Sequence, residues 1–256
     1  MRSRLPFHVR RLAVVPLVLV FLGSTAAATP FMLSLTEGQR FHSNTSVSYS
    51  VTSSMAPTVI DGHFDLVVMK RVGSRFVLET SGVVASKPFA KRTVEFDPIT
   101  LEQFLDGKRQ KRSLLAFFFD PAVWGTPPSS IYPGAKWKAP LREPWDYGPP
   151  GDQDVTVISV DKENGSVTLE RRGEGSGSSE PELERGNRMT MSVQGRTHDV
   201  QLTYQRTRWS GRSTIRAGVV VSSHLHVEQQ YGVPAVDVLP PQQATSRTDI
   251  STSTSP

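Results

Sequence analysis

Along most of the chain, apolar and polar side chains alternate one for one. Successive side chains of an extended strand point to opposite faces, so a period of two predicts strands with one buried and one wet face. Val47, Tyr49 and Val51 alternate with Ser46, Ser48, Ser50 and Thr52. Phe64, Leu66 and Val68 continue the theme, and Phe76 and Leu78 follow a turn at Gly73-Ser74, which together predict a hairpin. Farther on, Val155 to Val160 and Val167 to Leu169 flank Asp161-Lys162-Glu163-Asn164-Gly165, where Asn-Gly provides the positive φ angles of a tight reversal. The late chain repeats the logic with Met189, Met191 and Val193, then Val200, Leu202 and Tyr204, then Val219, Val221, Leu225 and Val227. No helical stripe matches these patterns.

One-sided alternation is the mark of antiparallel sheets, because parallel sheets buried on both faces give unbroken apolar runs. The expected class is all-β. About ten or eleven strands are foreseen, more than a twisted open sheet usually holds without curling or splitting. A curved antiparallel meander or incomplete barrel is therefore expected, with a β-sandwich as second choice.

Three segments depart from the alternation. Residues 173–188 (GEGSGSSEPELERGNR) are rich in Gly, Ser and Glu and predict a flexible exposed loop. Residues 240–256 hold one aliphatic side chain larger than alanine, Ile250, and predict a disordered tail. The third segment, Pro88 to Pro150, carries ten of the nineteen prolines, so regular structure there is expected to be short. Within it Leu114 to Phe119 form the most apolar stretch outside the N-terminus, followed by Asp120-Pro121 and Trp124. Six consecutive apolar residues cannot share one strand face. They predict either a core plug at one end of the sheet or a covering segment over an apolar hollow, with Phe117, Phe118, Phe119, Trp124 and Trp137 as candidate ligand contacts.

The N-terminal segment assigns a compartment. Arg2, Arg4, Arg10 and Arg11 form a basic leader, Leu12 to Leu22 is apolar except at Pro16, and Ala26-Ala27-Ala28 offers a small-residue cleavage pattern. Residues 1–28 thus read as a signal peptide and residues 29–239 as a single β-rich domain. An eleven-residue apolar run is too short for the roughly 20 residues of a membrane-spanning helix, so no stable anchor is expected after cleavage. Export to a bacterial periplasm or the medium is the expectation. All four signal charges are positive, so the net charge of +5 falls to about +1 (5 − 4) for the 256 − 28 = 228 residues that remain. Nucleic acid, which needs a concentrated basic face, is not an expected partner. The basic cluster Lys108, Arg109, Lys111 and Arg112 after Asp106-Gly107 reads as a solvated turn.

The chain has no cysteine, hence no disulfide and no thiolate metal site. It contains no G-x-S-x-G elbow, H-E-x-x-H, phosphate loop or dinucleotide fingerprint, and no cofactor is expected. One small constellation bears on metal chemistry. His224, His226 and Glu228 fall at i, i+2 and i+4, on one wet strand face, and a His-x-His pair can bind zinc when His198 or His63 brings a third ligand from a neighbour.

In layout, the export signal, one-sided strands and apolar insert resemble periplasmic lipoprotein carriers, although no motif carries the likeness. The resemblance implies a half-open antiparallel sheet that holds acyl chains against a covering segment. The function expected is that of an exported non-enzymatic β protein with an apolar, lipid-like ligand on its concave face. The alternatives are an envelope protein-protein interaction module without a ligand cavity, and a metal-dependent hydrolase using His224, His226 and Glu228.

Overall fold

The alternation that begins at residue 40 becomes a meander whose first four members are β1 (Arg40–Val51), β2 (Thr58–Val72), β3 (Arg75–Val84) and β4 (Lys87–Phe96). The short strands β5 (Gln103–Leu105) and β6 (Lys108–Arg109) complete it. A second run comprises β7 (Lys136–Lys138), β8 (Gly151–Asp161), β9 (Ser166–Gly175), β12 (Thr203–Arg216), β13 (Val219–Val233) and β14 (Gln242–Ser255). Between β9 and β12 a separate hairpin is made of β10 (Arg188–Val193) and β11 (Arg196–Gln201). One helical turn, α1 (Pro121–Trp124), is the sole α-helix among the described residues. The structure is a computed structural model and describes residues 31, 33–51, 56–98, 102–110, 121–142, 145, 148–177 and 188–256.

The fold is all-β. Twelve strands form one antiparallel sheet in the order β6-β5-β4-β3-β2-β1-β14-β13-β12-β9-β8-β7, which does not close into a barrel. Its two runs meet along β1 and β14, in a ladder from His42 opposite Ser255 to Val51 opposite Ser246. The two edges are β6 and β7, so the connection through residues 110–135 has to travel from one edge to the other.

The structure corrects the expectation of a disordered tail. Residues 242–255 form β14, paired with β13 on one side and β1 on the other. Low hydrophobicity misled the reading because this strand is stabilised by two backbone ladders and by small side chains. Ala244, Ser246, Ile250 and Thr254 are buried on its inner face. Their hydroxyls find partners across the ladders: Thr254 donates to Ser43 at 3.2 Å and Tyr231 lies 3.1 Å from Ser246. A buried hydroxyl with a partner costs little, whereas one without a partner costs about 1–3 kcal/mol.

The loop expected over residues 173–188 is corrected at both ends. Gly173, Glu174 and Gly175 complete β9, and Arg188 begins β10. Of the intervening residues, 178–187 lie outside the described residues. The hairpin turns behave as read. Val72 faces Arg75 across Gly73-Ser74, and the β8–β9 reversal places Gly165 at φ +61°. Asp161 organises that reversal, accepting hydrogen bonds from the Glu163 and Asn164 backbone N–H groups at 3.0 and 3.1 Å.

Core side chains gather on one face. Phe41, Leu66, Val68, Phe76, Leu78, Val94 and Phe96 form a cluster over β1 to β4. A second cluster joins Val155, Val157, Val167, Leu169 and Ile215 of β8, β9 and β12 to Trp124, Ala135 and Ala139 of the edge-to-edge connection. A third unites Leu141 and Trp145 with Trp209, Leu225, Val227 and Ile250. The Pro-rich segment downstream of residue 120 is thus a cover over the apolar face of the second run.

Candidate functional site

The inner face, expected to hold an apolar ligand, is organised around the cover. Phe117, Phe118 and Phe119 lie outside the described residues. Trp124 is buried at the end of α1, and Trp137 on β7 donates its indole N–H to the Trp124 carbonyl at 2.7 Å. Gln153, buried on β8, donates to the Val123 carbonyl and accepts the Trp209 indole N–H at 2.9 Å. Backbone bonds continue the attachment, from Ala139 N–H to Gln153 O at 2.9 Å and from Leu141 N–H to Gly151 O at 2.8 Å.

Arg171 is the unexpected member of this region. It sits on the inner face of β9 with 7% of its surface exposed, and its guanidinium lies 5.2 Å from the Trp124 ring and 4.9 Å from the Trp145 ring. A desolvated cation against an indole face is stabilised by about 2 kcal/mol or more. Trp145 in turn meets Trp209 edge-on at 5.3 Å. Sequence reading missed this cage because an arginine on a strand ordinarily faces water, although strand parity places one of Arg171 and Arg172 inside. The single usable signal was that parity, with Val167, Leu169 and Arg171 on one face.

The opposite face is polar and charged. Register aligns Lys138, Asp154, Arg172, Ser210, His226 and Asp249 in one row across β7, β8, β9, β12, β13 and β14. The adjacent row is Asp152, Glu174, Arg208, Glu228 and Arg247. Ser210 is the short side chain between Arg172 and His226, and a hollow of about 590 Å³ opens over it. Many of these charges are already paired: Lys138 with Asp154 at 3.0 Å, His226 with Asp249 at 2.8 Å, Arg247 with Glu228 at 3.4 Å, and Arg206 with Glu174. Exposed pairs of this kind contribute about 0–1 kcal/mol each to stability, so their main effect is to position side chains around the hollow.

His224, His226 and Glu228 occupy the wet face of β13, as their spacing requires, yet each is engaged by β14. His224 Nδ1 lies 3.1 Å from Ser251 Oγ, His226 pairs with Asp249, and Glu228 with Arg247. The two residues considered as third ligands are elsewhere. His63 stands on β2, beyond β14 and β1, and His198 on β11 pairs with Asp237 at 3.0 Å. One group of His and carboxylate side chains among the described residues has ligand atoms close enough to share an ion. It consists of His42, His63 and Asp65, on the wet face of β1 and β2.

Perturbed ionisation is found at tyrosines and at one turn carboxylate. Burial pushes the Tyr231 phenol well above its ordinary range, partly opposed by its bond to Ser246, and burial raises Tyr49 in the same region. Hydrogen bonds from Asn164 and Glu163 hold Asp161 below the usual carboxylate value. Neither a family model nor a curated protein matches the chain.

Proposed function

We propose that the protein is an exported, non-enzymatic binding protein whose concave apolar sheet face holds a lipid-like ligand. The observation that supports this reading is the route of the connection between β6 and β7. It joins the two edges of an open sheet, carries Phe117 to Phe119 in its sequence, and in its described part shares clusters chiefly with side chains of the second run, with Val47 of β1 at the margin of one of them. The apolar side chains of β1 to β4, Phe41, Leu66, Phe76 and Phe96 among them, form a cluster in which no described residue of residues 121–145 takes part. Leu33, Leu35 and Leu105 pack on that buried cluster, so an acyl chain reaches it by displacing them and gains about 0.8 kcal/mol per methylene it buries.

Native mass spectrometry of the protein recovered from its secreting cell, followed by organic extraction, tests the proposal. A discrete added mass that extracts as lipid is the expected result, and it is lost in a folded Phe118→Asp variant. A bare chain mass rejects the carrier reading.

The polar face favours a second reading, an envelope interaction module that docks another protein through charge. Its basis is the hollow over Ser210 and the two rows of mixed charge that border it. A photo-crosslinking group at position 210 is then expected to capture one partner, with loss of the adduct at high salt and in an Arg172→Glu, Arg208→Glu variant. Capture that is indifferent to salt and to both substitutions rejects it.

A further inference from the structure

The His42, His63 and Asp65 group belongs to neither reading above, and its geometry goes beyond that of a surface ion pair. Asp65 faces His42 directly across the β1–β2 ladder, Asn44 faces His63, and His63 and Asp65 are two residues apart on the same side of β2. His42 Nδ1 lies 2.6 Å from Asp65 Oδ1, and His63 Nε2 lies 3.4 Å from the same oxygen. The two imidazoles are nearly parallel, at 14° with centroids 6.3 Å apart, and one ligand atom from each of the three residues falls within 4.8 Å of the others.

A further bond sets the chemistry of His63. Its Nδ1–H donates to Asn44 Oδ1 at 2.7 Å, which leaves the Nε2 lone pair on the side of Asp65. Nε2 and the carboxylate oxygen are 3.4 Å apart, so two acceptors face each other when the ring is neutral and an ion pair forms when it is protonated. Two ligands at about 2.1 Å from a tetrahedral ion are themselves about 3.4 Å apart. His42 joins by exchanging its Nδ1–H bond to Asp65 for a bond to the metal.

The surroundings admit a cation. Ser81 and Val83 of β3 and Ser253 and Ser255 of β14 are the residues opposite the group, and none carries charge. The cation adjoining the group is Arg40, two residues before His42 and opposite Val67, whereas the histidines of β13 have Arg212 directly opposite His224 and Arg247 opposite the adjoining Glu228.

We propose that His42, His63 and Asp65 form a binding site for a borderline divalent transition cation, with Zn²⁺ as its preferred ion, and that Asn44 is its positioning residue. The donor set of two nitrogens and one carboxylate selects zinc-like ions over Mg²⁺ and Ca²⁺, which take oxygen ligands. Three protein ligands leave a tetrahedral ion one position for water or an incoming ligand. Both histidine side chains are 47% exposed, so the ion exchanges with solvent and does not stabilise the core.

Calorimetric titration of Zn²⁺ into the full chain without an affinity tag tests the site, with Co²⁺ absorption reporting the coordination. One Zn²⁺ per chain is expected. His63→Ala and Asp65→Asn, which alter a wet strand face, are expected to keep the far-ultraviolet spectrum and lose that uptake. Asn44→Ala is expected to weaken it by about 10–100-fold through the freed imidazole. The doubly substituted His224→Ala, His226→Ala chain is expected to bind as the parent does. Absence of saturable uptake overturns the proposal, as does uptake that survives in folded His63→Ala and disappears in the His224→Ala, His226→Ala chain.

Discussion

Gly173 shows how a residue's role depends on what approaches it. A Cβ at this position would lie 2.5 Å from the Trp209 ring, so the indole that donates to Gln153 can settle on β9 only where the side chain is absent. Gly173→Ala is expected to destabilise by about 1–3 kcal/mol, measured as a lower urea midpoint, because overpacking displaces a buried ring. Ala85 and Ser86 present the reverse case. They form the two-residue turn between β3 and β4 at φ +50° and +65°, a region that L-residues enter at a cost. Asn at 85 with Gly at 86 is expected to raise stability by about 1 kcal/mol or more in the same assay.

Ionisation at the residue scale gives a signed pH dependence. Burial favours the neutral Tyr231 phenol, so its folded pKa lies above its unfolded value of about 10. The stability linked to this shift is fully present below about pH 10 and is lost as pH rises toward the folded value, since the unfolded chain ionises first. Urea midpoints are expected to fall above about pH 10, and less steeply in Tyr231→Phe. Asp161 has the opposite sign. Its lowered pKa contributes above the unfolded carboxylate value and is lost as acid titrates the folded group.

Among the elements, β14 decides the integrity of the sheet. It is the strand of the second run that pairs with the first, and its ladders to β1 and β13 replace what its side chains lack in apolar surface. A chain ending at residue 241 exposes one edge each of β1 and β13, and is expected to lose cooperative unfolding in far-ultraviolet melts. Ile250→Asp tests the same element more gently. It places a carboxylate between Val47 and Leu225 on the inner face, and a loss of several kcal/mol is expected from an unpaired buried charge. An exposed-face control, Ser251→Asp, is expected to change stability by less than about 0.5 kcal/mol.

At the scale of the whole molecule, the pairing of β1 with β14 brings the first and last described strands together. His42 faces Ser255, so the start of β1 lies beside the end of β14. A circular permutant that joins residue 256 to residue 31 through a short Gly-Ser linker, opened at the Lys162–Gly165 turn, is expected to keep the sheet. Its β14–β1 ladder becomes a local hairpin, so its refolding is expected to be faster than that of the parent chain in stopped-flow mixing. Equal or slower refolding would show that another long-range ladder limits the rate.

Much of the architecture was legible residue by residue. Period-two alternation at Val47 to Val51, Phe64 to Val68 and Leu225 to Val227 determined the one-sided strands, and Gly73-Ser74 and Asn164-Gly165 determined two reversals, because these signals act over a few neighbouring positions. Tertiary structure decided what each surface meets. It placed a serine- and threonine-rich tail at the centre of the sheet, Arg171 between two indoles, and Gly173 under Trp209. It also brought His42 beside His63 and Asp65, and carried the β6–β7 connection from edge to edge. All of these depend on ladders and contacts between residues far apart in sequence, whose partners no local pattern names.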